Sequence, residues 1–249
     1  MISEVFNMDC MDFMRDKPDK FFDLAVVDVE YGIGQGGKKI NSKTVNSDGS
    51  LIKKYDRRNG NQIITKPKNY TETYTDKKAP DESYFSELDR ISKKLILWGA
   101  NHFLDKIPFK LSSPCWIVWD KVNGETDQAD CELAWTNFET AVRQVTYMWN
   151  GFTQGIGIES GHINQGNKAL CEIRMHPNQK PVVLYDWIYK NYLPNGGNVI
   201  DTHLGGGSNR IAADKAGNIN FYATEINHRH FEDQELRFKQ YKSQLKLFP

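Results

Sequence analysis

The chain has 249 residues, of which 39% are hydrophobic and 26% are charged, and its formal net charge is zero. This length suffices for one sizeable core but not for two domains of ordinary size, and the composition excludes a wholly disordered protein. The N-terminus lacks the pattern of a secretory leader, and no run of about 18 apolar residues occurs, so we expect a cytoplasmic protein without a membrane span. The four cysteines form no Cys-x-x-Cys pair, which predicts free thiols.

Basic residues are concentrated in one stretch of the chain. Residues 38–78 contain eleven Lys and Arg but four Asp and Glu, a net charge of +7, which leaves −7 for the remainder because the total is zero. Such a segment attracts phosphate, since the counterions that it displaces supply sequence-independent affinity for nucleic acid. A solvated loop would have the same composition. The charge alone leaves these two interpretations open.

The N-terminal third is predicted to contain a strand that ends at an acid. Residues 22–27 form a short apolar run, followed by Asp28 and a glycine-rich stretch at 31–37. We interpret this stretch as an active-site loop at the carboxyl end of a strand. The basic, aperiodic residues of about 36–80 form an insertion that we expect to be mobile without a ligand.

The middle of the chain predicts alternating helices and strands. Apolar residues recur at helical spacing after Asp81, which predicts a helix through Lys94. Strands are predicted at 95–98 and 115–119, with a third inside 141–149. This order indicates an α/β sheet.

The C-terminal third has the clearest pattern. Pro181 is predicted to open a helix that ends before Asn195. A strand ending at Asp201, a glycine loop, a helix closed by Gly217 and a strand ending at Glu225 then form one βαβ unit. A charged helix at 228–244 completes the chain. Its two histidines lack a third ligand nearby, so no metal site is predicted.

The βαβ unit has the layout of a nucleoside site. Glycines let the backbone approach a ligand closely, and an acid at the end of the next strand can accept hydrogen bonds from ribose hydroxyls. Asp201 and Glu225 are 24 residues apart, close to the roughly 20 residues typical of dinucleotide sites, so the spacing does not separate NAD from S-adenosylmethionine. The absence of a G-x-G-x-x-G pattern disfavours an oxidoreductase. A tight turn without a ligand is the other interpretation of this segment.

Three segments together resemble the β class of DNA amino-methyltransferases. His-Pro-Asn-Gln-Lys-Pro at 176–181 is similar to that family's His-Pro-x-Gln-Lys-Pro, and Asp-Thr-His-Leu-Gly-Gly-Gly-Ser at 201–208 is similar to its glycine motif. Asp-Val-Glu-Tyr-Gly at 28–32 occupies the place of its Asp-Pro-Pro-Tyr-Gly. The order of target-base motif first and donor motif last is also that of this class. Segments 96–101 and 119–121 resemble those of its phage-type members.

The resemblance covers nearly the whole chain and is weakest over 36–78. It implies a Rossmann-like S-adenosylmethionine-dependent methyltransferase fold of the α/β class, with a mostly parallel central sheet and helices on both faces. Residues 1–249 would form a single domain, with a small target-recognition region at about 150–175 or, alternatively, a long turn there. It also implies S-adenosylmethionine as cofactor and double-stranded DNA as partner, and it is compatible with a homodimer.

The implied methyl acceptor is the amino group of an adenine that is rotated out of duplex DNA. Cytosine-N4 methylation uses the same pocket chemistry and stays open, although the leading Asp favours adenine. The sequence does not define a recognition sequence, nor whether the enzyme belongs to a restriction system.

The resemblance also assigns residues to the two halves of the site. Asp28 and the backbone carbonyl of Val29 would accept the two amino hydrogens while Tyr31 stacks on the base, which orients the nitrogen lone pair for in-line transfer. Glu225 would bind the donor's ribose hydroxyls. The other residues implied on the donor side are Asp201, Gly205 and Gly207 near the amino-acid portion, and His176, Gln179 and Lys180 in the same pocket.

Val29 and Glu30 replace the two prolines of the family's catalytic motif. Prolines stiffen the loop that holds the acceptor carbonyl, and Glu30 adds a carboxylate that must face solvent, pair with a cation or be protonated. A second hypothesis is therefore a catalytically impaired protein that binds DNA or S-adenosylmethionine without transfer. A third, a nucleotide-dependent oxidoreductase, accounts for the βαβ unit but not for segments 28–31 and 176–181.

Overall fold

One eight-stranded sheet organises the computed structural model, in the order β1-β12-β11-β2-β5-β7-β6-β8. The structure describes residues 1–33, 54–55, 62–63, 78–109, 112–122, 129–150, 153–155, 171–175 and 178–245. The strands of this sheet are β1 Ser3–Phe6, β2 Phe22–Val27, β5 Ser92–Trp98, β6 Trp116–Asp120, β7 Cys131–Thr136, β8 Arg143–Thr146, β11 Gly197–Asp201 and β12 Ile219–Thr224. Two antiparallel pairs lie apart from it, β3 Lys54–Tyr55 with β4 Gln62–Ile63 and β9 Met148–Asn150 with β10 Thr153–Gly155.

The sheet is parallel except for β7. Strands β1, β12, β11, β2 and β5 pair in parallel, β7 runs antiparallel to both of its neighbours, and β8 is again parallel to β6. The carboxyl ends of the parallel strands therefore lie at one edge, and β7 brings its first residues to that same edge.

Helices cover both faces of the sheet. The helices are α1 Cys10–Arg15, α2 Glu82–Ile91, α3 Val182–Tyr192, α4 Ser208–Ala216 and α5 His228–Leu245. Alternate residues along a strand point to opposite faces, so Leu24 and Val26 of β2 pack in the core beneath α3 and α4, whereas Ala25 and Val27 pack beneath α1 and α2. This is the α/β arrangement with helices on both faces that the sequence predicts.

Helix α2 begins where the sequence predicts and ends three residues earlier than expected. The side chain of Asp81 accepts hydrogen bonds from the backbone of Ser83 and Tyr84, which caps the first turn. The helix ends at Ile91 because Ser92 is extended, with φ −121° and ψ 138°. Pairing of β5 with β2 thus draws residues up to Lys94 into the sheet.

The C-terminal βαβ unit is confirmed. Strands β11 and β12 are adjacent and parallel, and α4 connects them. Gly217 ends α4 in the left-handed conformation, with φ 79°, which glycine adopts without a steric penalty. The sequence analysis missed β1, α1, β7 and the short strands β3, β4 and β10, and the single strand that it predicted within 141–149 is divided into β8 and β9.

Two predicted regions lie mostly outside the described residues: the basic insertion at about 36–80 and the target-recognition region at about 150–175. Tryptophans 98, 119 and 135 are buried in the core, as expected for large apolar side chains of an α/β sheet. None of the helices in the described ranges combines the length and apolarity needed to cross a bilayer.

The core position Phe221 on β12 allows a test of the packing. Its side chain is 1% exposed, and truncating a buried Phe removes transfer free energy and leaves a cavity. Phe221→Ala is expected to lower the free energy of unfolding by about 3–5 kcal/mol in urea denaturation. Leu236→Ala on α5, where the side chain is 53% exposed, is the matched control and should change it by less than about 0.5 kcal/mol. Equal effects of the two substitutions would contradict the assigned core.

Candidate active site at the carboxyl edge of the sheet

Three acids predicted from the sequence lie at one edge of the sheet. Asp28 follows β2, Asp201 is the last residue of β11, and Glu225 follows β12. These strands are neighbours in the order β12-β11-β2. Ligands of open α/β sheets bind outside the carboxyl ends of the strands, so this edge is the candidate site.

The two oxygens of Asp28 have different surroundings. Oδ1 accepts a hydrogen bond from the Tyr31 hydroxyl at 2.8 Å and lies 2.5 Å from Nζ of Lys180. Oδ2 receives no hydrogen bond from the described part of the chain, and the side chain is 17% exposed. Burial raises the pKa of Asp28, and the adjacent Lys180 opposes that rise. Oδ1 is thus held in place, while Oδ2 is open to accept a hydrogen bond from a ligand.

Tyr31 lies in a slot made by the residues after β5. Its ring stacks on His102, with centroids 5.2 Å apart and an interplanar angle of 19°. Gly99 has φ 69°, and a Cβ built there would lie 2.1 Å from the Tyr31 ring. Glycine is therefore needed at position 99 both for the backbone conformation and for the space.

Lys180 lies among the residues that the resemblance assigns to the acceptor side, although the resemblance assigns Lys180 itself to the donor pocket. Its Nζ is 3.0 Å from the Tyr31 hydroxyl, 2.5 Å from Asp28 and 3.0 Å from Oε2 of Glu132. Glu132 also forms an ion pair with Lys121. Burial acts to raise the pKa of Glu132, but the two lysines outweigh it and lower that pKa to about 2.

Glu225 is oriented by the backbone of the neighbouring loops. Oε2 accepts the backbone N–H of Gly205 at 2.9 Å, and Oε1 accepts that of Asn227 at 2.8 Å. Each carboxylate oxygen can accept a further hydrogen bond, so Glu225 keeps capacity for a ligand. The next residue, Ile226, is 68% exposed and presents an apolar side chain beside this acid.

Asp201 is buried and braces the start of the glycine loop. Its oxygens accept hydrogen bonds from the backbone of His203 at 3.1 Å and from Nδ2 of Asn209 at 2.9 Å. Burial raises the pKa of Asp201 to about 7. Its described contacts hold the loop in place, with Gly205 at φ 54° and Gly207 at φ 73°.

Gln179 packs against the glycine loop. Its Oε1 accepts the backbone N–H of Met175 at 2.8 Å, and a Cβ built on Gly206 would lie 2.8 Å from the same oxygen. Nε2 donates to Glu172 at 3.0 Å. His176 lies outside the described residues.

The sequence analysis missed three structural acids and bases of this site: Glu172, Arg237 and Glu132. Glu172 accepts hydrogen bonds from the backbone of Val182 and from the Arg237 guanidinium, the latter at 2.5 Å. Arg237 in turn donates to the carbonyl of Gly206. Glu172 and its partners are up to 65 residues apart in the sequence, so no local pattern reveals their contacts. Glu132 was missed because the strand that carries it, β7, was not predicted.

Comparisons with known proteins bear on the fold. No model of a protein family matches the sequence, and no curated protein matches it. A structure of PvuII DNA methyltransferase (cytosine-N4-specific) superposes with a TM-score of 0.51 over 96% of this chain and 86% of that one, at 10% identity. The chain has the α/β fold of that structure. At this identity the likeness establishes the architecture alone.

Two further structures are similar at lower TM-scores. The M1.HpyAVI–SAM complex matches at 0.49, with 13% identity over 95% of this chain and 100% of that one. The S-adenosyl-L-methionine complex of TTHA0409, a protein of Thermus thermophilus, matches at 0.47, with 14% identity over 96% of this chain and 94% of that one.

Two titratable groups at the start of the glycine loop, Asp201 and His203, should give opposite dependences of stability on pH. With a pKa of about 7 in place of 3.8, Asp201 keeps a proton in the folded chain that the unfolded chain releases, so its contribution to stability falls as pH rises from about 4 to 7. Burial lowers the pKa of His203 from 6.5 to about 4, so its contribution rises with pH between about 4 and 6.5.

Single substitutions separate the two groups. In His203→Asn the opposing contribution of His203 is removed, so the free energy of unfolding should fall with pH more steeply than in the native protein, by up to about 1.4 kcal/mol per unit. In Asp201→Asn the contribution of Asp201 is removed, so the slope should shift in the opposite direction. Urea denaturation at several pH values between 4.5 and 6.5 measures both slopes against that of the native protein, and shifts of the same sign in the two variants would contradict the assignment.

Proposed function

We propose that this protein is an S-adenosylmethionine-dependent DNA methyltransferase that methylates the exocyclic amino group of adenine. The observation that carries the proposal is the juxtaposition at one sheet edge of an open acceptor oxygen on Asp28, the aromatic ring of Tyr31 three residues later, and the Glu225–glycine-loop pair two strands away. An oxidoreductase gives no role to Asp28 and Tyr31.

The residues of the donor half fit S-adenosylmethionine. Glu225 is fixed by two backbone N–H groups and can accept the ribose hydroxyls. The exposed Ile226 offers an apolar surface to the adenine ring of the donor. In this proposal Gly205 and Gly207 give the donor's amino-acid portion close access to the backbone, with Asp201 bracing the loop beneath it, and His176 and Gln179 complete the pocket.

S-adenosylmethionine, when bound, supplies a sulfonium methyl group to the amino nitrogen: the C–N bond forms as the C–S bond breaks, the electron pair passes to sulfur, and the nitrogen releases a proton. The chain's contribution is alignment. Oδ2 of Asp28 accepts one amino hydrogen and the carbonyl of Val29 the other, which directs the nitrogen lone pair out of the base plane. Tyr31 stacks on the base, which must first leave the duplex.

The burial of Val29 favours an active enzyme over the catalytically impaired alternative. Val29 is 3% exposed and packs in the core beneath α1 and α2. Packing thus holds this loop where the family's prolines would hold it through their fixed φ. Glu30 is half-buried, and its effect on turnover is the remaining difference between the two hypotheses.

DNA binding is proposed from charge and from the resemblance. The insertion at about 36–80, with its net +7 over 38–78, would contact the phosphates. The region at about 150–175 is our candidate for target recognition within a single domain.

Labelled methyl transfer tests the proposal directly. Purified protein is incubated with tritiated S-adenosylmethionine and unmethylated mixed-sequence DNA, and the DNA is then digested to nucleosides. Label in N6-methyl-2′-deoxyadenosine is the expected result. Label in N4-methyl-2′-deoxycytidine would correct the base, and donor binding without labelled DNA would support the impaired protein instead.

Two substitutions should separate the halves of the site. Asp28→Ala is expected to lower the single-turnover transfer rate by about 100-fold, since misplacing a reacting group costs on that order, while the Kd for S-adenosylmethionine stays within about twofold. Glu225→Ala removes hydrogen bonds to a charged group and should weaken that Kd by about tenfold or more. Calorimetric titration with the donor measures the second effect. A loss of affinity for S-adenosylmethionine in Asp28→Ala would contradict the assignment of Asp28 and Glu225 to different halves of the site.

A further inference from the structure

An alternating row of buried and half-buried charges extends from Asp28 to Lys121, the residue after β6. Asp28, Lys180, Glu132 and Lys121 follow one another as anion, cation, anion and cation. The Lys180 side chain is 4% exposed, and those of Lys121 and Glu132 are 18% and 22% exposed. Buried charges are costly unless they are paired, and this alternation pairs each of them with no net charge left over.

Oxygens of the acceptor side surround the ammonium group of Lys180. An ammonium group carries three hydrogens and accepts none. Three oxygens already lie within 3.0 Å of Nζ, one each from Asp28, Glu132 and Tyr31. The buried Oε2 of Glu132 has no partner besides this ion pair among the described residues, so each of the two groups depends on the other.

We propose that Glu132 is a positioning residue of the acceptor site: it holds the Lys180 ammonium against Oδ1 of Asp28, which keeps this carboxylate ionised and leaves Oδ2 open for the amino group. The inference rests on the proposed function. It assigns Lys180 to the acceptor half rather than to the donor pocket, and it gives a role to Glu132 and Lys121. Strand β7 makes the contact because its reversed direction brings Glu132 to the carboxyl edge.

The groups that face Asp28 define the expected electrostatics. They are Tyr31 on the same loop, Lys180 before α3, Tyr185 on α3, Glu132 on β7 and Asp201 on β11. Among the charged neighbours, Lys180 lowers the pKa of Asp28 and Glu132 raises it. Without Lys180, the carboxylates of Asp28 and Glu132 would repel each other with no cation between them. Glu132 therefore supports the ionised form of Asp28 only while Lys180 lies between the two carboxylates.

A double-mutant cycle tests this dependence with single-turnover methyl transfer at saturating donor. Lys180→Met is expected to lower the rate by about 10- to 100-fold and to shift the acid limb of the pH profile upward, with donor Kd within about threefold of native. Glu132→Gln should lower the rate in the native background. In the Lys180→Met background, the same substitution should raise the rate several-fold and move the acid limb back downward.

The reversal of sign is the result that a merely structural role of Glu132 does not produce. A similar loss from Glu132→Gln in both backgrounds would overturn the inference. So would a Lys180→Met variant whose donor Kd weakens more than about tenfold while its rate at saturating donor is unchanged, because Lys180 would then serve the donor.

Chemical unfolding of the same four proteins provides a readout that does not need activity. Lys180→Met should become less stable as pH rises above the ordinary pKa of an Asp, since Asp28, buried beside Glu132 without its cation, then keeps a proton in the folded state that the unfolded chain releases. Adding Glu132→Gln should reduce that slope, and an unchanged slope would overturn the inference. If the native protein transfers no methyl group to DNA, the proposed function fails, and this second cycle still decides whether Glu132 positions Lys180 at Asp28.

Discussion

The shared direction of the strands is the constraint on which the site depends. Five neighbouring strands end at one edge, and three of them end at or just before an acid whose carboxyl group is buried or half-buried. Carboxyl groups in such positions require hydrogen-bond partners. Each has them: Glu225 takes two backbone N–H groups, Asp201 takes one together with a side-chain amide, and Asp28 takes a hydroxyl and an ammonium. The loops that supply these donors are thereby held against the sheet.

Ionic contacts between distant parts of the chain stabilise the half of the site that is proposed to bind the methyl donor. Glu172 joins the segment before α3 to Arg237 on α5, and Arg237 reaches the carbonyl of Gly206 in the glycine loop. The C-terminal helix is thus a structural part of the site even though it supplies no acceptor or donor group to the proposed reaction. Pairs of this kind are costly to break singly, because the remaining charge stays buried.

Much of this arrangement could be predicted from local sequence. Apolar runs that end in Asp201 and in Glu225, with glycines between them, identify a βαβ unit from patterns within about 25 residues. The position of Asp28 after β2 follows in the same way. Helix α2 was predicted too long because its last turn and the first residues of β5 have similar patterns, and pairing with β2 decides between them.

The alternating row of charges from Asp28 to Lys121 could not be predicted from the sequence, for a different reason. Glu132 lies on a strand whose first half is exposed or half-buried and lacks a clear alternation, and its partners Lys121 and Lys180 come from other segments. Lys180 was found from its motif, but the motif does not say which half of the site the ammonium faces. Only the tertiary structure places it at Asp28.

The neighbours Gln179 and Lys180 share one peptide bond and contact different halves of the site. Gln179 lies against Gly206 in the glycine loop, and Lys180 lies against Asp28 and Tyr31. A ligand that displaces one of these residues therefore disturbs the surroundings of the other. In the proposed reaction such coupling would be reciprocal by thermodynamic necessity: the factor by which the target base changes the affinity for the donor equals the factor by which the donor changes the affinity for the base.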